Sequence, residues 1–511
     1  MSRWFFVYVP LVLTACRGPV SASPGPLAEV GERGAVWVDV AGRESGDGSR
    51  EHPLRSLAEA LARPGRPRVH LAPGRYVGPF RVPDGARLIG AGQDTVVWAE
   101  AGAEAVLRLE GRAELSGLAF QGGQWGLVLD TDSEVRLKGA RFSGQSNGAI
   151  HLTAGTLWVE RSHFEAQGAQ STGPHAEAQV RDPRGTSAVG IHVEAREGSR
   201  SEPRLDVRET EFVGPYRRAV RVRGGGRARL QDVHFDGTQT AVGQDGGWVE
   251  LVNAVAEGGR GPAFSVVEGS MSLSRVRVLG HEYGLTSMHA KVAVRDFTSV
   301  RAERAGLGVS GSDVLMEGVV VQASGTLGGV QLTDSKVTIR GLRVDGAAEY
   351  GLVAVRGSLR LRDGAVTRVR SATGDTGEGL HLREVAADVA GLEVRDVEGA
   401  CVWAAQAARV LLRDAALRGC TQAGLSVDTE AHLEANGISV SGKGHALAAM
   451  NGGVLSVDGL RVEEPTEPFL WAECESGTKV ILGRVRAPNL EKTQVLCLET
   501  RPSEPTTSPR P

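Results

Sequence analysis

The sequence contains few aromatic residues, few cysteines and almost no net charge. Aromatic residues make up 5% of the 511 residues, and 58 lysines and arginines nearly balance 61 aspartates and glutamates. This balance argues against nucleic acid as a partner and against a basic membrane-binding patch. The five cysteines form no CxxC pair and no cluster with histidine, so neither a metal site nor a cofactor is predicted.

Long hydrophobic runs are also missing, apart from a short one at the N-terminus. Arg3 precedes an apolar run over residues 4–13, which is too short to span a bilayer and is typical of a secretory signal. The run ends in Leu13-Thr14-Ala15-Cys16, which resembles a bacterial lipobox. The resemblance implies a signal peptide over residues 1–15 and a lipid on Cys16 that attaches the protein to a membrane. Because no aspartate follows Cys16, the outer membrane is the expected location.

The two ends of the mature chain have compositions that do not support a core. Residues 16–34 are rich in Gly, Pro, Ser and Ala, and we predict a flexible tether there. Residues 500–511 consist mainly of Pro, Ser and Thr, which predicts a disordered tail.

Glycine is abundant, with 69 residues, and it marks a repeat between residues 126 and 471. In most copies a Gly or Ala precedes a large apolar anchor, and another apolar residue follows two positions later. Most anchors are 21 to 23 residues apart, which is the period of a solenoid. The anchors are Leu127, Ile150, Ile191, Val220, Val242, Phe264, Leu285, Leu307, Val330, Leu352, Leu380, Val402, Leu425, Leu447 and Leu470.

Each copy has room for three short strands and for no long helix. After the Leu352 anchor, for example, come Leu359-Arg360-Leu361 and Ala365-Val366-Thr367. Alternating apolar residues predict strands with one buried face. The fold class expected is therefore all-β, a parallel β-helix with about 22 residues per coil over residues 98–499. Fifteen coils spaced by about 4.8 Å would form a rod of roughly 70 Å.

Residues 35–97 differ from the repeats and are expected to form an N-terminal cap and the first coil. A helix starting near Pro53, with Leu54, Leu57, Ala58 and Leu61 as its apolar stripe, would cover the open end of the solenoid. Its flanking motifs, including Leu71-Ala72-Pro73-Gly74-Arg75-Tyr76, resemble the cap of bacterial β-helix proteins of the pectin-lyase-like superfamily. The resemblance covers about residues 35–498 and implies a right-handed helix. It implies no single activity, because that superfamily includes lyases, hydrolases, epimerases and adhesins.

The motifs of the superfamily's enzymes are missing from this sequence. A Gly-His-Gly would be expected in a polygalacturonase, and the best match is Gly444-His445-Ala446. An Asp-Pro-His-Glu would be expected in an alginate epimerase, whereas residues 182–185 read Asp-Pro-Arg-Gly. These differences disfavour both activities.

The best candidate site comes from outward positions one and three after successive anchors. Stacked coils would place these side chains in rows about 5 Å apart. They are His151 and Thr153, His192 and Glu194, Arg221 and Arg223, and Gly243 and Asp245. An insertion at residues 165–187, which contains His175, Glu177 and Asp182, could overhang them. The alternative is a plain solvated face. Trp403 and Trp471 occupy the same outward column and could stack on sugar rings or simply pack.

Two cysteine pairs lead to different expectations. Cys474 and Cys497 are 23 residues apart, one coil, so they would face each other and form a disulfide in an oxidising compartment. Cys401 and Cys420 are 19 residues apart and out of register, and we expect two buried thiols.

Three functions are compatible with these features. The first is a non-catalytic cell-envelope rod that binds or displays, with polysaccharide as the candidate ligand. The second is a polysaccharide lyase or glycoside hydrolase that uses His151, His192, Glu194, Arg221, Arg223 and Asp245. The third is a structural spacer.

Overall fold

The computed structural model describes residues 34–166, 189–196, 201–372, 374, 376–463, 468–473, 477–487 and 498–500. The predictions for the signal peptide, Cys16, the tether up to residue 33, most of the insertion, the Cys474–Cys497 disulfide and the tail beyond Thr500 lie outside these residues; Thr500 itself ends a strand. No helix within the described residues is long and apolar enough to cross a membrane.

The chain forms a right-handed parallel β-helix, as predicted, with about 17 turns. All strand pairings are parallel and run between successive coils, so each coil adds one layer to three long faces. Face A holds the repeat anchors, and faces B and C follow it along the chain.

The strands on face A are Phe80–Val82, Ala105–Leu109, Trp125–Leu129, Gly148–Leu152, Val189–Glu194, Arg218–Arg223, Val242–Asp245, Pro262–Val267, Tyr283–Met288, Ala305–Ser310, Glu378–Arg383, Val402–Ala405, Ala423–Val427, His445–Ala449 and Leu470–Ala472. The separate strands on face B are Ala35–Val38, Arg68–Leu71, Ala86–Ile89, Ala113–Ser116, Glu134–Lys138, Thr156–Glu160, Lys479–Leu482 and Leu498–Thr500. Those on face C are Gly74–Val77, Thr95–Ala99, Ala119–Gly122, Arg141–Ser143, His163–Glu165 and Val485–Arg486.

In later coils faces B and C merge into single bent strands. These are Arg204–Val213, Arg227–Asp236, Trp248–Glu257, Ser270–Leu279, Lys291–Val300, Asp313–Gln322, Ala386–Val397, Arg409–Cys420, His432–Ser441 and Val454–Glu463. Gly328–Asp345 and Tyr350–Thr367 run through all three faces. The bend between B and C is made by one residue in the left-handed region, such as Asp232 (φ 54°), Asn253 (φ 56°) or Gly341 (φ 71°). Gly, Asn and Asp tolerate this conformation best.

The predicted register of face A is confirmed at every anchor. Leu127 pairs with Ile150, Ile150 with Ile191, and the pairing continues to Leu447 and Leu470. The insertion between Ile150 and Ile191 therefore leaves the stacking of the coils intact. The same column extends upstream through Leu107 and Phe80.

A ladder of phenylalanines fills the core beneath face C in the first half of the rod. Phe120, Phe142, Phe164, Phe212 and Phe235 are fully buried and stack on successive coils. Their ring centroids are 4.6 to 5.3 Å apart. Stacked aromatic pairs add stabilisation beyond the burial of apolar area.

The capping helix is present but shorter than predicted. It spans Leu57–Leu61, and the Ser56 hydroxyl accepts a hydrogen bond from the Glu59 amide, so Ser56 rather than Pro53 begins it. Its buried residues are Leu57, Ala60 and Leu61, whereas Ala58 is exposed. The predicted stripe was therefore wrong at Ala58, whose place in the buried face is taken by Ala60, while Leu54 is buried but precedes the helix.

The prediction of two thiols at Cys401 and Cys420 was wrong. Both residues are buried, as expected, but they form a disulfide with a Cα–Cα distance of 5.5 Å. Cys420 ends a face C strand, and the chain turns sharply before Ala423, which accepts a hydrogen bond from the Cys401 amide. Because the chain folds back at this corner, the two cysteines lie side by side although their spacing is about three residues shorter than one coil.

Candidate functional site

The six predicted site residues lie on face A between Gly148 and Asp245; we call this surface the ribbon. His151 pairs with His192, and His192 with Arg221. Glu194 pairs with Arg223, and Arg223 with Asp245. The structure thus places the six side chains on four consecutive coils. Two neighbouring positions contribute no side chain to the ribbon: Thr153 is buried, and Gly243 has none.

The two ribbon histidines form an aromatic stack with Trp125. The ring of Trp125 lies 4.7 Å from that of His151, which lies 5.3 Å from that of His192. Gly148 makes this possible, because a Cβ there would lie 2.4 Å from the indole of Trp125. Sequence reasoning missed Trp125, which stands two residues before its anchor and leans over the coil that follows.

Both imidazoles are neutral at neutral pH. Burial lowers the pKa of His151, and burial together with His151 and Arg221 lowers the pKa of His192 to about 3. The Nε2 atoms of both rings are buried and have no hydrogen-bond partner. The carboxylate of Glu194 lies beside them, with its Oε2 atom 3.8 Å from Nε2 of His192.

The ribbon arginines are paired within the protein. Arg223 Nη1 donates to Glu194 Oε1 at 2.9 Å. Arg221 and Arg218 both contact Asp245 Oδ2, at 3.4 and 3.5 Å. Arg218 was not predicted, because it precedes its anchor by two residues, and it fills the space above Gly243. Each of the three arginines therefore has a carboxylate partner, but they share only two carboxylates, which leaves one positive charge in excess.

A second feature lies near the C-terminal end of face A. Trp403, Ser426, Ala448 and Trp471 pair in sequence along one outward column. The two indoles are thus three coils apart, about 14 Å, with small buried residues between them. Together with Gln422, His445 and Met450 they line a cleft of about 320 Å³, which we call the tryptophan groove.

A buried polar cluster adjoins the tryptophan groove. The carboxylate of Glu378 is fully buried, and neither of its oxygens has a hydrogen-bond partner. Its Oε2 atom lies 3.7 Å from Nδ1 of His381, whose ring contacts Tyr350 and Trp403. The longer step between the Leu352 and Leu380 anchors was the sequence signal for this irregularity.

No family model matches this chain, and no curated protein matches it. Among solved structures, an alginate lyase from Paenibacillus sp. is 16% identical, covers 47% of this chain and 92% of its own, and has a TM-score of 0.40. The alginate lyase AlyGC, of family PL6, is 10% identical over 84% of this chain and 87% of its own, with a TM-score of 0.37. The Streptococcus pneumoniae adhesin PfbA is 10% identical over 65% and 93%, with a TM-score of 0.36. At these values the similarities carry no argument about ligand or activity.

Proposed function

We propose that this protein is a non-catalytic, polysaccharide-binding rod of the cell envelope, attached to the outer membrane through a lipid on Cys16. The observation that carries the binding function is the tryptophan groove. Trp471 is 43% exposed, although the ring of His445 stacks on its indole with a centroid distance of 6.4 Å. What supports an interaction site is the cleft itself, in which two indoles and Met450 form one apolar surface.

The chemistry of the groove suits a sugar chain. Sugar rings have apolar faces that stack on indoles, and Ser426 and Ala448 leave space between the two platforms. Gln422 and His445 supply polar atoms at the edge. Among the described residues that line the groove, none carries a carboxylate or a guanidinium, so we expect a neutral glycan and little dependence of binding on salt.

The alternative is a polysaccharide lyase or glycoside hydrolase that acts at the ribbon. His192 beside Glu194 occupies the position of a general base, but burial lowers its pKa to about 3, which makes it a weak base at neutral pH. Moreover, each ribbon arginine already contacts a carboxylate of the protein: Arg218 and Arg221 share Asp245, and Arg223 contacts Glu194. This pairing favours binding at the groove over catalysis at the ribbon.

Purified protein tested on neutral and acidic polysaccharides by affinity electrophoresis and calorimetry would separate these functions. We expect binding of a neutral glycan, weakened roughly tenfold by Trp403→Ala and by Trp471→Ala. Trp248→Ala is the matched control, because Trp248 is 36% exposed but lies at the start of a face B strand. Unchanged binding in both groove variants, or release of unsaturated or reducing ends, would contradict the proposal.

The anchor is tested separately, by cell fractionation. Cys16→Ala should move the protein from the membrane fraction to the soluble fraction. Unchanged partitioning would rule out lipid attachment at Cys16.

A further inference from the structure

Three side chains on the ribbon that could act as metal ligands lie close together. One nitrogen from each of His151 and His192 and one oxygen of Glu194 lie within 4.8 Å of one another. Around a tetrahedral Zn²⁺ with bonds of about 2.0–2.2 Å, donor atoms are about 3.3–3.6 Å apart. To bind one ion, these atoms would have to move about 1 Å closer to one another, which small side-chain rotations can provide.

Each of the two imidazoles also has a nitrogen without a partner. Both Nε2 atoms are buried without a hydrogen-bond partner, and a buried polar atom in that state costs about 1–3 kcal/mol. The two oxygens of Glu194 have separate partners: Oε1 accepts from Arg223, whereas Oε2 faces His192. Arg223 thus orients the carboxylate and leaves one oxygen available.

We propose that His151, His192 and Glu194 bind one divalent transition-metal ion, represented by Zn²⁺. Two imidazoles and one carboxylate are donors that such ions accept, and three protein ligands leave a fourth position open to water. The positive charges of Arg218, Arg221 and Arg223 oppose a cation; Asp245 and Glu194 offset two of them, and metal binding must overcome the third. The site does not depend on the tryptophan groove.

The position of the site suggests its effect. His151 lies on the last coil before the insertion, and His192 on the first coil after it. A metal ion bound to both would cross-link the two coils where the chain between them is longest. Binding should therefore raise the thermal stability of the folded protein.

The chain contains a matched control. His163 and His234 both contact Glu211, at 3.1 and 3.6 Å, so this trio also combines two imidazoles with a carboxylate on successive coils. In contrast to the ribbon set, each imidazole contacts a different oxygen of Glu211, and all three side chains are more than 30% exposed. We expect no tight metal binding there.

The test uses tag-free full-length protein stripped with a chelator and titrated with Zn²⁺ by calorimetry, with Co²⁺ absorption as a second readout. We expect one equivalent per chain, a tetrahedral Co²⁺ spectrum and a raised melting temperature. His151→Gln and His192→Gln should lose all three, whereas His163→Gln should retain them. Glu194→Gln preserves the side-chain shape and should also lose binding, which separates loss of a ligand from loss of folding.

Two results would overturn the proposal. One is the absence of stoichiometric binding to folded wild-type protein. The other is binding that survives in His192→Gln and Glu194→Gln or disappears in His163→Gln, because the ion would then occupy another place. Neither result bears on glycan binding at Trp403 and Trp471.

Discussion

Replacing Phe164 with alanine should destabilise the rod at the point where the insertion interrupts its coils. Phe164 is fully buried and stacks on Phe142 at 4.8 Å and on Phe212 at 4.6 Å. It pairs directly with Phe212, although 48 residues separate them, so this contact joins the two sides of the insertion. Truncation of a buried phenylalanine costs about 3–5 kcal/mol, and we expect about 4 kcal/mol for Phe164→Ala.

The stacking contribution can be isolated by a double-mutant cycle. Phe164→Leu and Phe212→Leu retain most of the apolar volume, so their coupling should report the ring–ring contact, about 0.5–1.5 kcal/mol. Phe297→Leu is the control for the loss of a buried phenylalanine without a ring–ring contact. Phe297 is fully buried, but it pairs with Val276 and Val319, and no aromatic ring in the described chain stacks on it.

The assay is urea unfolding followed by circular dichroism, with the m-value compared between variants, because a solenoid can unfold in segments. A cost below about 1 kcal/mol for Phe164→Ala, or no coupling between the two leucine variants, would refute the reasoning.

Three further predictions concern the core, the disulfide and a buried histidine. Leu352→Asp places a charge at a fully buried anchor and should lower the free energy of unfolding, measured in urea, by several kcal/mol. Gln331 is partly exposed one coil earlier, so Gln331→Asp should lower it by less than about 0.5 kcal/mol. Equal losses would contradict the inward–outward alternation. Reduction of Cys401–Cys420, which are 19 residues apart, should lower stability by about 3 kcal/mol, and the double alanine variant should not respond to reductant. Burial lowers the pKa of His281 from its usual value of 6.5. Below that pH the imidazole is therefore protonated in the unfolded chain but stays neutral in the folded chain, which favours unfolding. Wild-type stability should therefore fall relative to His281→Gln between about pH 7 and pH 5, and parallel pH profiles would contradict this.

The sequence alone was sufficient to predict the coil and its register. Anchors such as Ile150 and Ile191 are constrained twice, by the alternation of side chains along a strand and by stacking on the next coil, so the pattern repeats with little ambiguity. The phenylalanine ladder was harder to recognise, because steps of 22, 22, 48 and 23 residues from Phe120 to Phe235 follow it through the insertion. The Cys401–Cys420 pair was misjudged because spacing along a repeat does not describe how a corner folds back.

The candidate sites depend on contacts that outward spacing does not encode. Packing leaves outward residues on face A largely unconstrained, so His151 and His192 could be recognised as unusual but not as neighbours of Trp125. That contact requires the missing side chain at Gly148, two positions before an anchor on the following coil. Similarly, Arg218 reaches Asp245 over Gly243. Gly148 and Gly243 therefore make room for a large side chain of the preceding coil, Trp125 or Arg218. These two side chains determine which polar residues of the ribbon are paired and which keep free atoms. A side chain introduced at Gly148 should displace Trp125 and disturb the histidine pair, even though residue 148 is not itself a ligand.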